Sequence, residues 1–250
     1  MAIATQRVFE IPELLELILL PLSFHSLLSA QLISRCFWLT IRSSPTLQRT
    51  LYFRAEPKTA SGAWAANQVL VERFRPWFTD PSINKHVSSR YKFVHLSWLG
   101  FAHRREPLLR KGASWRHMLP MQPPPTKLTI LRSHFSRFSD PQYVLPGEKP
   151  RWRAEIEREG GITMGLLYDI VEGFFALLPA HHFEAEFGVR WLLDEAYDGA
   201  GRIEVELYCK HRDGFDPEDF PEDFQYRSRA DGMRYGDLDW KVCDVEAGTD

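Results

Sequence analysis

The chain has 250 residues, 44% of them hydrophobic, which is enough for one full core and a small accessory module and too little for three independent domains. Lys and Arg total 31 against 33 Asp and Glu, and a net charge of -2 argues against a dedicated nucleic-acid binder and against an acidic tail protein. Its three cysteines, Cys36, Cys209 and Cys243, make neither a disulfide framework nor a zinc-ligand spacing, so a reducing compartment is expected.

The first fifty residues hold more apolar surface than so short a segment can bury by itself. A helix beginning near Pro12, a residue suited to a first helical turn, puts Leu14, Leu15, Ile18, Leu19 and Leu22 at helical spacing, with Leu17 and Leu20 on other faces. Pro21 would cost that helix a backbone hydrogen bond, which ends it at about Leu20. Ser26 is read as the cap of a second helix with Leu27, Leu28, Leu32 and Ile33, and a third from Cys36 to Arg42 carries Phe37, Trp38, Leu39 and Ile41 until Pro45 stops it. Glu10, Glu13 and Glu16 interrupt the apolar run and no small-residue cleavage site follows, so it does not read as a signal peptide. No segment has the ~18 to 20 uninterrupted apolar residues that span a bilayer, and no membrane association is expected.

The order IPELL, SLLSAQ, RCFW, SSPTL resembles the F-box, a short helical module by which substrate receptors dock onto the Skp-type adaptor of cullin ubiquitin ligases. The resemblance implies adaptor contacts at Pro12, Leu14, Leu15, Ile18, Leu19, Leu28, Leu32, Ile33 and Trp38. It departs from the family pattern in opening on Ile11-Pro12 instead of Leu-Pro, and in carrying Ser26 where an acidic cap is often found. The other explanation for the same leucines is a helical hairpin belonging to the chain's own core.

Residues 5–53 are taken as this module and 54–64, rich in small and turn-forming residues, as a connector. Residues 65–250 form the body. Asn67 to Phe78 has a helical stripe of Val69, Leu70, Phe74, Trp77 and Phe78 ending near Pro76, and Tyr91 to Leu99 is expected to be a strand. The segment GASWRHMLPM has room for one helical turn, and Pro123 to Pro125 extend the chain into a strand, TKLTIL, from Thr126. With GGITMGLLYDIV farther on, these motifs are similar to the body of a group of small fungal F-box proteins, which carry a comparable Trp-Arg-x-Met-Leu, Gln-Pro-Pro and Thr-Met-Gly after the F-box. A proline run is also a ligand type for SH3-like partners.

Thr163 is read as the cap of the principal core helix, with Leu166, Leu167, Ile170, Val171 and Phe174 at helical spacing and an end near Pro179. Val189, Trp191 and Leu193 alternate with polar neighbours, as do Ile203, Val205, Leu207 and Cys209, and Asp198-Gly199-Ala200-Gly201 between them suits a hairpin turn. Such alternation predicts an antiparallel sheet with one wet face. The whole is expected to be α+β: a three-helix amino-terminal module, then helices packed on a short antiparallel sheet.

Catalytic motifs are scarce. The chain has no phosphate loop, nucleophile elbow or zincin pair. His181, His182 and Glu184 are the nearest thing to a metal site, and Cys209 with His211 to a nucleophile and base, but adjacent histidines after a proline suit a turn and a strand Cys suits a core. The acidic run Asp213 to Tyr226, interleaved with Phe215, Phe220 and Phe224, lacks the spacing of a calcium loop. From Arg73 to Arg137, thirteen Lys and Arg face only Asp80 and Glu106, whereas from residue 201 onward seven face fourteen Asp and Glu. Trp77, Tyr91, Phe93, Trp98 and Trp115 within the basic stretch invite a nucleic-acid reading, which the near-neutral whole opposes. The expectation is a non-catalytic receptor, cytoplasmic or nuclear, without cofactor or metal, whose partners are a Skp-type adaptor, the cullin beyond it, and a protein substrate. The alternative is a small-molecule-binding protein or enzyme with the helices inside its own core.

Overall fold

The computed structural model describes residues 8–56, 64–78, 95–135, 151–177, 183–193, 201–211 and 238–243. The fold is α+β, and its helices precede and flank one principal sheet. After a helical turn at residues 8–9, four short helices follow: α1 (Pro12–Leu19), α2 (Phe24–Ala30), α3 (Arg35–Ser43) and α4 (Pro45–Thr50). Pro12 stands in the first turn of α1, where its missing N–H costs nothing, and the helix stops before Pro21 as expected. The caps were only partly legible. Ser23, not Ser26, caps α2, accepting from the Ser26 N–H, and Ser34 caps α3 by accepting from Phe37.

Pro45 ends α3 but also begins α4, a fourth helix beyond the three expected. Ser44 lies between the two, accepting from the Leu47 N–H at 3.1 Å and donating to the Glu16 carboxylate of α1. A Ser-Pro pair is thus both a stop and a start. The four helices close on their own small core of Leu15, Leu19, Leu27, Ala30, Ile41, Leu47 and Leu51. At the end of α4 the Phe53 N–H bonds Gln48 O and the Tyr52 N–H bonds Arg49 O, a Schellman pattern with Tyr52 at φ 60 where glycine is usual.

In the body, β1 (Ala65–Ala66) pairs antiparallel with β2 (Met121–Gln122), and α5 (Gln68–Arg73), capped by the buried Asn67, runs into a 3-10 turn at Arg75–Trp77. The strand expected over Tyr91 to Leu99 is not formed where it is described: residues 95–100 are turns, with the Leu99 N–H on Leu96 O. Leu96 and Trp98 are buried there as turn residues, and their alternation mimics a strand. After α6 (Ala102–Leu109), the expected helical turn is present at Ser114–His117.

The principal sheet is built from β3 (Lys127–Phe135), β4 (Arg151–Glu157), β5 (Phe183–Leu192), β6 (Arg202–His211) and β7 (Lys241–Cys243), in the order β5-β6-β3-β4-β7. It is mixed, not purely antiparallel, since β3 and β6 pair in parallel from Lys127↔Arg202 to Phe135↔Lys210. Of the expected hairpin turn only Gly201 lies within the described residues. One face carries Leu128, Ile130, Ala154, Ile156, Phe187, Val189, Trp191, Ile203, Val205 and Leu207, and shares a core with α7 (Met164–Leu177). Thr163 does cap α7, accepting from the Leu166 N–H at 3.4 Å. A Cβ on Gly165 would lie 2.4 Å from Arg116 O, so only glycine lets α7 meet the turn at Ser114–His117 backbone to backbone.

The opposite face is not simply wet. Thr129, Glu206 and Tyr208 are buried on it, and Arg190 pairs with both Glu204 and Glu206 while the Tyr208 hydroxyl donates to Glu206. The antiparallel register sets Arg190 opposite Glu204, which neutralises charges that alternation alone assigns to solvent.

Candidate docking surface

The helices α1 to α4 leave a large apolar surplus outside. Among the described residues twelve large hydrophobic side chains are exposed; ten of them, Ile11, Leu14, Leu17, Ile18, Leu20, Leu22, Leu32, Ile33, Trp38 and Leu39, fall between residues 11 and 39. Scattered exposed leucines need no explanation, but such a concentration in one short segment does. Leu32 keeps 88% and Ile33 67% of their surface.

Helical geometry sorts α1 into two stripes. Leu15 and Leu19, one turn apart, point into the module's own core at 0% exposure, while Leu14 and Ile18 stand beside them in solvent. Two of the nine expected docking residues, Leu15 and Leu19, are therefore core residues of the module and offer no exposed surface. They cannot leave their core for a partner without undoing α1 against α3 and α4. Leu28 is half-buried between this core and that of the body, which also removes it from a free surface.

Of the other expected docking residues, Pro12, Leu14, Ile18, Leu32, Ile33 and Trp38 are exposed. Leu32 and Ile33 do not ride on a helix, since α2 ends at Ala30; they form the turn after it, with their N–H groups on Ser29 O and Ala30 O. That turn is fixed at both ends, because Ser34 immediately caps α3. Ile11, Leu17, Leu20, Leu22 and Leu39 are exposed too; their signal was present in the all-round apolarity of α1 and in the uninterrupted Phe37 to Leu39 run.

Several contacts stiffen the surface. The Cys36 thiol donates to Phe9 O at 2.9 Å and the Phe9 and Phe37 rings lie 5.6 Å apart, joining the start of α3 to the residues before α1. The Arg42 guanidinium lies 4.9 Å over the Trp38 ring, one turn along α3. Chemically this face is dominated by apolar side chains and suited to hydrophobic association, with Glu10, Glu13 and His25 exposed among them.

The other candidates are weaker as sites. His181, His182 and the acidic run from Asp213 to Tyr226 lie outside the described residues. Cys209 and His211 are on β6 in register with Ala185 and Phe183. Among the described residues no group of three or more His, Cys, Asp or Glu is placed to hold a metal ion, and no helix is long and apolar enough to cross a membrane. Of the aromatics singled out in the basic stretch, Trp77, Trp98 and Trp115 are buried around Phe74 and Tyr168, and Tyr91 and Phe93 lie outside the described residues.

A half-buried polar cluster lies where α7 meets the Ser114–His117 turn. Arg116 pairs with Asp169 and lies 5.1 Å from the Trp115 ring and 5.8 Å from that of Tyr168. Burial raises the Asp169 carboxyl above its ordinary value against the lowering effect of Arg116; burial, with Asp169 nearby, also raises Glu172. Tyr168 is raised too, again chiefly by burial. These groups tie α7 to the Ser114–His117 turn.

No protein-family model matches the chain, and no curated protein and no solved structure matches it.

Proposed function

We propose that the chain is an F-box-type substrate receptor: its amino-terminal helices dock onto a Skp-type adaptor and through it a cullin, and its body holds a protein for ubiquitin transfer. The observation that supports this reading is the apolar surplus between Ile11 and Leu39, left outside although α1 to α4 already close a core of their own. A module that has its core and still exposes ten large hydrophobic residues is built to bury them elsewhere. Each aliphatic side chain buried on docking contributes about 1.5 to 3 kcal/mol before association entropy is counted. Leu14, Ile18, Leu32, Ile33 and Trp38 are then sufficient as an interface core.

In this reading the chain itself performs no chemistry. The ligase acts on a substrate that the body keeps at high effective concentration, in the cytoplasm or nucleus where the adaptor resides. The test is co-purification with a Skp-type adaptor on co-expression. The double substitution Leu14→Asp with Ile18→Asp touches only exposed positions, so it should abolish capture while leaving the circular dichroism and unfolding midpoint of the chain unchanged. Undiminished capture by that folded variant overturns the proposal.

A further inference from the structure

Helix α6 buries none of its residues, and its sequence AHRREPLL is basic. Arg104, Arg105 and Arg110 are exposed there and make no ion pair among the described residues. Arg73 and Arg75, also exposed, belong to the same region: the Trp98 indole donates to Arg73 O at 2.9 Å, and the Phe101 N–H bonds Trp98 O. Underneath, Phe74 contacts both Trp98 and Trp115, and Trp115 donates to Leu108 O at 2.7 Å. The arginines thus stand on a rigid aromatic base. Among them is Phe101, 51% exposed, with the Arg104 guanidinium 5.2 Å from its ring. Outside residues 11–39 it is one of only two large hydrophobic residues exposed among the described residues.

We propose that this face binds an acidic polypeptide segment carrying an apolar side chain, with the arginines pairing its carboxylates and Phe101 receiving the apolar group. The proposal names the substrate class for the receptor reading and rests on that reading. Charge complementarity selects an acidic partner, and arginine is the cation best shaped for carboxylates. Single-stranded nucleic acid would need open aromatic platforms for its bases. Here Trp77, Trp98 and Trp115 are buried, and Phe101 is the one exposed ring of this face among the described residues, where stacking of successive bases needs several.

The experiment is fluorescence anisotropy of a labelled poly-glutamate peptide with a central phenylalanine pair, titrated with the full chain, accompanied by the adaptor where it co-purifies. The wild type should bind with an affinity that falls as salt rises. The pair Arg104→Glu with Arg105→Glu should weaken binding about tenfold through lost and reversed charge pairs. Arg158→Glu, at an exposed arginine just past β4, should change it less than about twofold, and Phe101→Ser should weaken binding while sparing its salt dependence. No peptide binding by the wild type, an equal loss in Arg158→Glu, or tighter binding of a single-stranded oligonucleotide of matched charge each overturns the proposal. Adaptor capture is scored on the same variants and should survive Arg104→Glu with Arg105→Glu. If capture fails in the wild type while the peptide still binds, the receptor reading falls and the acidic-peptide site stands.

Discussion

Leu14 and Leu15 are neighbours in sequence, and the structure predicts opposite consequences for truncating them. Leu15 is fully buried in a core of seven residues, so Leu15→Ala removes three buried carbons. At about 0.8 kcal/mol per methylene that is roughly 2.4 kcal/mol of transfer energy, and the cavity left behind brings the cost into the range of about 2 to 5 kcal/mol. So small a core has little to spare, and α1 to α4 should open. Leu14 is 39% exposed, and Leu14→Ala should cost less than about 1 kcal/mol in the isolated chain. The assay is hydrogen exchange at the amides of Gln48 and Leu51, whose partners are Ser44 O at the cap of α4 and Leu47 O within it. Leu15→Ala should accelerate both amides strongly, and Leu14→Ala should leave them near wild type while weakening adaptor capture. Equal acceleration by the two variants would refute the assignment of stripes on α1.

The end of α4 and the half-buried cluster on α7 supply two further tests. Tyr52 occupies the left-handed region, which costs an L-residue roughly 1 to 2 kcal/mol and glycine almost nothing. Tyr52→Ala and Tyr52→Gly lose the same ring contacts with Phe24 and the same hydrogen bond to Ala66 O, so the glycine variant should be the more stable by about 1 kcal/mol in urea unfolding; an alanine variant as stable or more so would refute the strain argument. Glu172 has its pKa raised in the folded state by burial and by Asp169, so folding favours its protonated form and its contribution to stability is lost as pH rises from about 4.3, the unfolded value, through the folded one. Glu172→Gln removes that loss. Its stability relative to wild type should therefore increase between pH 4 and pH 7, and a flat or falling difference in paired melts would disprove the assignment.

Periodicity made some elements legible and tertiary pairing hid others. The Leu166-Leu167-Ile170-Val171-Phe174 stripe and the Ile203-Val205-Leu207 alternation stand where they were read, because one side of each element meets the core. Turn residues Leu96 and Trp98 alternate as a strand does, and nothing local betrays that Trp98 packs on Phe74 and Tyr168. Strand β4 went unread because arginines and glutamates flank its inward Ala154 and Ile156, and the parallel pairing of β3 with β6 has no local signature at all. On α1 the difficulty was different. Leucines lie on nearly every side, so which pair faces inward is decided by where α3 and α4 pack, with the Ser44 hydroxyl between them bonded to Glu16.

The passage from helices to body bears on how a receptor of this kind would work. A connector was expected from residue 54, but its described beginning is held to the body. Gln122, itself buried, donates to Arg54 O at 2.7 Å and accepts from the Glu56 N–H at 2.9 Å, and the Leu119 N–H bonds Tyr52 O at 2.7 Å. Phe24, Leu28 and Phe53 pack against both cores at once. Backbone hydrogen bonds and shared apolar contacts fix orientation in a way that a flexible tether does not. On the proposed reading, the distance between a docked adaptor and the arginine face around Phe101 is then a property of the fold. Effective concentration at the conjugating enzyme is maximal where a fixed span matches the distance required and falls steeply where it does not. On the same reading, a substrate held at that face would present only those lysines that the geometry allows, and the joint that stabilises the module would also select where ubiquitin is attached.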